Sequence, residues 1–248
     1  MSFDLRMAEL NKRIKEANKI VFFGGAGVST ASGIPDFRSK DGLYNTKDAQ
    51  FEKYTPEYLL SATCLYQHPK VFYEFYRQKL DCRDIEPNVT HYKLAEMEAK
   101  GKLSSVITQN IDGLHQKAGS KKVYEIHGTT LVNYCTWCHE YFDDDHIFTS
   151  SEPIPRCDCG GMVRPDVTLY EEMLPQKEWE AANTEVMDCD LLIVAGTSLT
   201  VYPANSLLNL VRDMDKLVLI NRDETGWENK AGLVFHEDMT EVFSRIEV

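Results

Sequence analysis

The sequence predicts an α/β fold built on a doubly wound parallel sheet. Short apolar runs, typical of strands buried on both faces, alternate along the chain with segments of helical periodicity. The first apolar run passes directly into Gly24 and Gly25, as expected of a buried parallel strand that ends in a tight glycine turn. The predicted strands are residues 20–23, 105–108, 123–126, 191–195 and 217–220.

Helical patterns flank these strands at residues 4–18, 89–100 and 204–214. Two segments depart from the alternation. Residues 40–85 are rich in tyrosine and phenylalanine and mostly helical in pattern, and residues 132–165 carry four cysteines, three prolines and two adjacent glycines. We interpret both as insertions that form a smaller domain. The sheet domain then comprises residues 1–39, 86–131 and 166–248.

Composition and charge narrow the classes of partner. The 248 residues are 43% hydrophobic and 10% aromatic, which is enough to bury a sizeable core. The formal net charge of −12 argues against general binding to nucleic acid or anionic membranes, and it is compatible with cationic peptide substrates. The apolar runs are far too short to cross a bilayer, and the first residues contain no apolar signal core. We therefore expect a cytoplasmic protein.

The cysteines predict a metal site. An odd total of seven argues against a disulfide framework. Four of them form two closely spaced pairs, a pattern that favours tetrahedral ligation of one structural zinc ion. The second pair is one residue shorter than the common spacing, and His139 and Asp158 remain open as alternative ligands. The four predicted ligands are Cys135, Cys138, Cys157 and Cys159.

The glycine turn after the first strand is a candidate phosphate-binding loop, because glycine lets backbone amides approach a pyrophosphate closely. The dehydrogenase fingerprint is incomplete, since Thr30 stands where its last glycine would be. A loop follows in place of an uninterrupted helix, and its Phe37 and Arg38 are placed to fold over a nucleotide.

Polar residues follow several predicted strands, at the edge of the sheet where ligands bind in such folds. Gln109, Asn110 and Asp112 come after the second strand, and His127 comes after the third. A histidine that titrates near neutrality is a natural general base. Later strand ends contribute residues suited to hydrogen bonds with ribose and phosphate, namely Thr197, Ser198 and Asn221.

Together these segments resemble the sirtuin family. The order and spacing of the motifs match over nearly the whole chain, which makes the set far more specific than any single motif. The matching strings, beside the four cysteines, are GAGVSTASGIPDFRS (25–39), TQNIDGLHQKAG (108–119), HGT (127–129), RPDV (164–167), GTSLTVYPA (196–204) and INRD (220–223).

The resemblance implies a Rossmann-like domain joined to a smaller zinc-binding and helical domain, with NAD and acyl-lysine in the cleft between them. It implies that His127 is the base and that Asn110 assists catalysis. Gln109 and Asn110 would face the nicotinamide ribose, and Ile111 and Asp112 the nicotinamide. The other implied NAD contacts are Ala26, Thr30, Phe37 and Arg38 in the first loop, and Thr197, Ser198, Asn221 and Asp238 around the adenosine half.

The implied activity is NAD-dependent removal of acyl groups from lysine, with release of nicotinamide and O-acyl-ADP-ribose. The sequence departs from the common family pattern at the shortened cysteine pair and at residues 169–172, where many relatives carry an aromatic-Gly-Glu segment. The Tyr-x-x-Arg pair of sirtuin desuccinylases is missing, since Tyr76 is followed three residues later by Lys79. We therefore expect neutral acyl groups, acetyl first.

Other functions remain open from the residues alone. An ADP-ribosyltransferase or NAD hydrolase would share the activation of the nicotinamide ribose. A zinc module that recognises acylated tails would explain the cysteines but would give His127 no role. A hydride-transferring dehydrogenase fits the incomplete glycine fingerprint poorly.

Overall fold

The computed structural model describes residues 1–36, 42 and 50–248. In this part of the chain the strands are, in order, β1 (Ile20–Gly24), β2 (Leu103–Thr108), β3 (Val123–Glu125), β4 (Gly128–Cys135), β5 (Tyr141–Asp143), β6 (Val163–Val167), β7 (Leu191–Ala195), β8 (Leu217–Ile220) and β9 (Leu233–Phe235). The α-helices are α1 (Phe3–Glu16), α2 (Pro56–Leu59), α3 (Ala62–Gln67), α4 (Pro69–Lys79), α5 (Val89–Ala99), α6 (Leu114–Lys117), α7 (Asp145–Phe148), α8 (Gln176–Asp188) and α9 (Met239–Ser244).

The predicted parallel sheet is confirmed, with six strands in the order β3-β2-β1-β7-β8-β9. Every neighbouring pair is parallel. The strands that precede β4 form one half of the sheet, and those that follow β6 form the other half. The direction in which strands are added therefore reverses between β1 and β7. Carboxyl ends of parallel strands meet at one edge, and the reversal opens a crevice there.

Both faces of the sheet are covered, which explains the continuous apolar runs of its strands. Alternate residues of β1 enter different cores: Ile20 and Phe22 pack with residues of α1, α5 and α9, whereas Val21 and Phe23 pack with residues of α8. The strand β9 was not predicted because its apolar run is only three residues long.

The α-helix predicted at residues 204–214 is wrong, because the helix found there is of another type and ends earlier. Residues 204–214 do not form an α-helix; the segment Ala204–Leu210 is a 3-10 helix. The chain is extended at Val211 and Asp213, and the Asp213 side chain accepts a hydrogen bond from the amide of Asp215 at 3.0 Å. A short polar side chain that bonds to nearby backbone in this way competes with helix continuation.

The tyrosine-rich segment and the cysteine-bearing segment share a third core. Helix α4 contributes four buried aromatic side chains, α2 and α3 contribute Leu59 and Leu65, and the antiparallel sheet β5-β4-β6 contributes Cys135 and Val163. The buried Tyr73 hydroxyl donates to the Val163 carbonyl oxygen at 2.6 Å and ties the two segments together. The predicted domain limits at 131/132 and 165/166 fall inside β4 and β6, which run continuously past them.

None of the helices in the described residues has the length and apolar character needed to span a bilayer.

Candidate active site

The glycine turn lies in the crevice where the strand order reverses. The Gly27 amide donates to the Gly196 carbonyl oxygen at 2.8 Å, so the turn rests against the end of β7. A Cβ atom on Gly27 would lie 2.7 Å from the Gly196 Cα atom, which is closer than a side chain tolerates. Glycine is therefore required for this contact, and the turn lies at the edge of the sheet where dinucleotides bind in such folds.

Gln109 joins the ends of β2 and β7. Its Oε1 accepts from the Thr197 hydroxyl at 3.0 Å, and a Cβ atom on Gly25 would lie 2.7 Å from the same Oε1. Gln109 Nε2 is buried and has no hydrogen-bond partner in the described structure. A buried donor without a partner is costly, and a ligand oxygen from ribose or phosphate would satisfy it.

Ser29, Asn110 and Asp112 form a buried network. The Ser29 hydroxyl donates to Asp112 Oδ2 at 2.6 Å and accepts from Asn110 Nδ2 at 3.0 Å. Asp112 Oδ1 accepts from the Leu114 amide at 3.0 Å. Burial raises the pKa of Asp112, and the bond from Ser29 opposes that rise by stabilising the carboxylate.

Ser29 was missing from the predicted site residues. It lies in the loop string that carried the family resemblance, and its side chain is almost wholly buried. Three hydroxyl residues lie between Gly27 and Gly33, and the sequence does not single out Ser29, whose partner Asp112 lies 83 residues later in the chain. Only the packing of the loop against the end of β2 reveals the role.

His127 lies against the turn that follows β2. Its Nδ1 is 3.0 Å from the Gln109 carbonyl oxygen. A carbonyl oxygen accepts only, so Nδ1 carries the hydrogen in this bond and, in the neutral ring, the basic lone pair is on Nε2. The histidine is thus oriented by backbone next to the Gln109–Asp112 turn and can act as a base through Nε2.

Other predicted site residues lie in the loop after β1 and in the turn after β2. Ala26 begins a 3-10 turn, and the Thr30 hydroxyl donates to the Gly27 carbonyl oxygen at 3.0 Å. The Ile111 carbonyl oxygen accepts from the amide and the hydroxyl of Thr130, each at 2.9 Å. Phe37 and Arg38 lie outside the described residues.

Three predicted residues lie further along the edge of the sheet. Ser198 follows β7 and pairs its hydroxyl with that of Thr200 at 2.8 Å. Asn221 follows β8, three strands from β2, a span of about 14 Å at the usual strand spacing. The Asp238 side chain caps α9 by accepting a hydrogen bond from the Thr240 amide at 2.8 Å. It also forms an ion pair with Arg222 at 3.0 Å, so both of its contacts are to other residues of the protein.

The four predicted metal ligands come together. Their Sγ atoms all lie within 4.8 Å of one another, and three of the pairs are 3.5 Å apart. Tetrahedral zinc with Zn–S bonds of about 2.3 Å places sulfur atoms about 3.8 Å apart, so the donor set fits zinc. The shortened half closes into a turn, in which the Cys157 amide donates to the Gly161 carbonyl oxygen at 2.9 Å.

Comparisons with known proteins agree with this geometry. Residues 25–203 match the model of the Sir2 family. The chain is 48% identical to an NAD-dependent protein deacetylase of Clostridium acetobutylicum, with 97% of this chain and 98% of that protein covered. It is also 48% identical to an NAD-dependent protein deacetylase of Clostridium tetani, with 96% and 95% covered.

Solved structures give the same result. A Sir2 structure described as holding deacetylated p53 peptide and 3′-O-acetyl ADP-ribose superposes with a TM-score of 0.88 at 36% identity, covering 96% of each chain. A Sir2 complex with p53 peptide and NAD⁺ superposes with a TM-score of 0.85 at 37% identity, with the same coverage. The chain therefore belongs to the Sir2 family.

Proposed function

We infer that this chain is an NAD-dependent protein-lysine deacetylase that transfers the acyl group to ADP-ribose. The observation that carries this inference is the contact between His127 and the Gln109–Asp112 turn at the crevice of the sheet. Relatives that match almost end to end are NAD-dependent protein deacetylases, which supports it. The substrates are NAD and acyl-lysine in proteins or peptides.

The residues suit a two-stage reaction. The acyl carbonyl oxygen attacks C1′ of the nicotinamide ribose, and nicotinamide leaves with the electrons of the glycosidic bond. His127 Nε2 then accepts a proton from a ribose hydroxyl, whose oxygen attacks the resulting imidate carbon. Hydrolysis of that intermediate yields free lysine and O-acyl-ADP-ribose. Because both substrates are held in one cleft, the entropic cost of bringing them together is met when they bind and does not add to the barrier of the chemical step.

We assign the part of the pocket around the turn after β2 to the nicotinamide riboside half of NAD. Asn110 and Gln109 would bind the ribose, and Ile111 and Asp112 the nicotinamide. The buried network around Ser29 supports this assignment because it fixes two of these side chains without any ligand. The remaining proposed contacts are Ala26, Thr30, Phe37 and Arg38 along the first loop, and Thr197, Ser198, Asn221 and Asp238 toward the adenosine.

We propose that residues 1–39, 86–131 and 166–248 form the NAD-binding domain and that residues 40–85 and 132–165 form the small domain. The apolar cluster shared by the two insertions supports this division. Cys135, Cys138, Cys157 and Cys159 would hold one zinc ion in a closed site, where the metal stabilises the fold.

We further propose a preference for neutral acyl groups and a cytoplasmic location. Tyr76 is fully buried against Phe72 and Phe148, so its hydroxyl is not placed to meet an acidic acyl group. The net charge of −12 supports a peptide partner over nucleic acid.

The test is to incubate the protein with NAD and an acetyl-lysine peptide and to measure nicotinamide release and O-acetyl-ADP-ribose by mass spectrometry. We expect His127→Ala to lower turnover by at least about a hundredfold, the scale of a lost general base, with an unchanged melting temperature. NAD loss without peptide would point to a hydrolase, and ADP-ribose retained on protein would point to a transferase. Full activity of the variant would remove His127 from the mechanism.

A further inference from the structure

The loop after β1 is bound to the residue that precedes helix α5. Asn88 donates through Nδ2 to the Val28 carbonyl oxygen at 2.8 Å and to the Ser32 hydroxyl at 3.0 Å. The first of these acceptors lies 60 residues earlier in the chain, so the contact joins two segments that are distant in sequence. Both hydrogens of the amide group are used by acceptors in the loop.

The two acceptors lie on either side of Ser29, the residue that links the loop to the buried network of the pocket. Val28 precedes Ser29 directly, and the Ser32 amide donates to the Ser29 carbonyl oxygen at 3.0 Å. The Ser29 hydroxyl in turn donates to Asp112 at 2.6 Å. Asn88 therefore holds the loop at the point where the loop meets the turn after β2.

The other polar atoms of Asn88 are bound to the first turn of α5. Its Oδ1 accepts from the Thr90 amide at 2.9 Å, and its own amide donates to Nδ1 of His91 at 3.2 Å. These two bonds form a capping box, and His91 is fully buried. One asparagine therefore caps α5 with its side-chain oxygen and holds the loop with its side-chain nitrogen.

Helix α5 also packs against the helix that follows Asp112. His91 lies beside the buried His115 of α6, with the ring centroids 4.7 Å apart. The first amide of α6 donates to Asp112 Oδ1 at 3.0 Å. The loop and the turn are thus both connected to α5, one through Asn88 and the other through the two histidines. This connection through α5 is independent of the direct bond between Ser29 and Asp112.

We propose that Asn88 is a positioning residue for NAD, which holds the loop after β1 so that Ser29 meets Asp112. The proposal rests on the deacetylase function, in which Asp112 binds the nicotinamide of NAD. Because its amide hydrogens are used by the loop, Asn88 acts through the loop and not by contact with NAD. Loss of the amide should therefore weaken NAD binding and leave peptide binding unchanged.

Two substitutions in the full chain separate the loop contact from the helix cap. Serine and aspartate both cap helices well, and neither carries the amide nitrogen that donates to the loop. We expect Asn88→Ser and Asn88→Asp to raise the KM for NAD, and the Kd for NAD measured by calorimetry, about tenfold, the scale of two lost neutral hydrogen bonds. The KM for an acetyl-lysine peptide should stay within about twofold of wild type.

Asn183 provides the matched control. Its Nδ2 also donates to a backbone carbonyl oxygen, that of Trp179 at 2.6 Å, but it lies in α8 on the other face of the sheet. Asn183→Ser should leave the KM for NAD within about twofold of wild type. Ser32→Ala removes one of the two acceptors, so it should raise this KM about threefold in wild type and have no further effect in Asn88→Ser. Additive effects of the two substitutions would overturn the proposal.

Hydrogen exchange distinguishes loss of the loop contact from loss of the helix cap. In Asn88→Ser the amides of Ser32 and Gly33 should exchange faster than in wild type, while the Tyr92 amide, which donates to the Asn88 carbonyl oxygen, should keep its protection. Equal loss of protection in loop and helix would show that Asn88 acts only as a cap and would overturn the proposal.

The outcomes also separate this proposal from the deacetylase function. Inactive wild-type protein would refute the deacetylase function, while calorimetry with NAD and hydrogen exchange would still test the role of Asn88. A wild-type KM and Kd for NAD in both Asn88 variants would overturn the proposal in a protein that remains an active deacetylase.

Discussion

In the pocket at the sheet edge, polar side chains contact one another directly. Ser29, Asn110 and Asp112 form a hydrogen-bonded network, and His127 is oriented by the Gln109 backbone. In the cysteine-bearing part, the four sulfur atoms lie within 4.8 Å of one another and none of them forms a disulfide. Two of those cysteines, Cys138 and Cys159, are exposed.

The two regions therefore depend on different sources of stability. The pocket residues follow strands that are buried on both faces, so the core of the sheet fixes their positions before any ligand binds. The antiparallel sheet beside the cysteines has exposed positions on β5, and it shares its apolar core with α2, α3 and α4. A metal ion would supply the cohesion that apolar burial does not supply there.

Removal of the metal should produce the largest effect and should separate the two regions. We expect a strong chelator, or Cys135→Ser, to unfold the cysteine-bearing part, since structural zinc contributes on the order of 10 kcal/mol to small domains. The parallel sheet should persist. Limited proteolysis should therefore cut between residues 132 and 165 first, while far-ultraviolet circular dichroism keeps most of its signal. Simultaneous loss of both regions would contradict this separation.

The second prediction concerns Glu125, a half-buried residue of β3 that lies two residues before His127 and whose Oε1 atom is buried. Burial raises the pKa of Glu125 to about 7, although bonds from Gln116 and Thr129 oppose the rise, and its Oε1 has no hydrogen-bond partner in the described structure. The native state thus holds a proton that the unfolded chain has lost above its ordinary pKa of 4.5. Stability consequently falls as the pH rises from about 4.5 to about 7.

We expect Glu125→Gln to remove this pH dependence while preserving size. The variant should exceed wild type in free energy of unfolding by about 1 kcal/mol at pH 5 and by up to about 3 kcal/mol at pH 8, from the shift in pKa. Urea unfolding at several pH values measures the difference. Metal binding varies with pH in both proteins alike and cancels. A difference that does not change with pH would show that Glu125 titrates normally.

Strands and the residues at their ends could be predicted from the sequence, but hydrogen bonds between residues far apart in the chain could not. Buried parallel strands are continuous apolar runs, so five of the six sheet strands were predicted, and the cysteine spacing predicted a cluster whose sulfur atoms do converge. The role of Ser29 was not recognised, because its partner Asp112 is distant in sequence and becomes a neighbour only when the chain folds. The 3-10 helix at residues 204–210 was misread because its apolar spacing resembles that of an α-helix.

Ser29→Ala should have the smallest effect of these changes, because it removes one hydroxyl from the hydrogen-bonded network of the pocket. The change leaves Asn110 Nδ2 and Asp112 Oδ2 without their partner, which should cost about 2 kcal/mol, and it should raise the pKa of Asp112 further because a bond to the carboxylate is lost. We expect kcat/KM for NAD to fall at least about tenfold, with a wild-type response to chelator. Ser244→Ala, an exposed hydroxyl on α9, is the control. If the free energy of unfolding falls but kcat/KM for NAD does not, the network stabilises the fold without positioning the residues that bind NAD. The geometry of the pocket is then set by the sheet and not by the hydrogen bonds of Ser29.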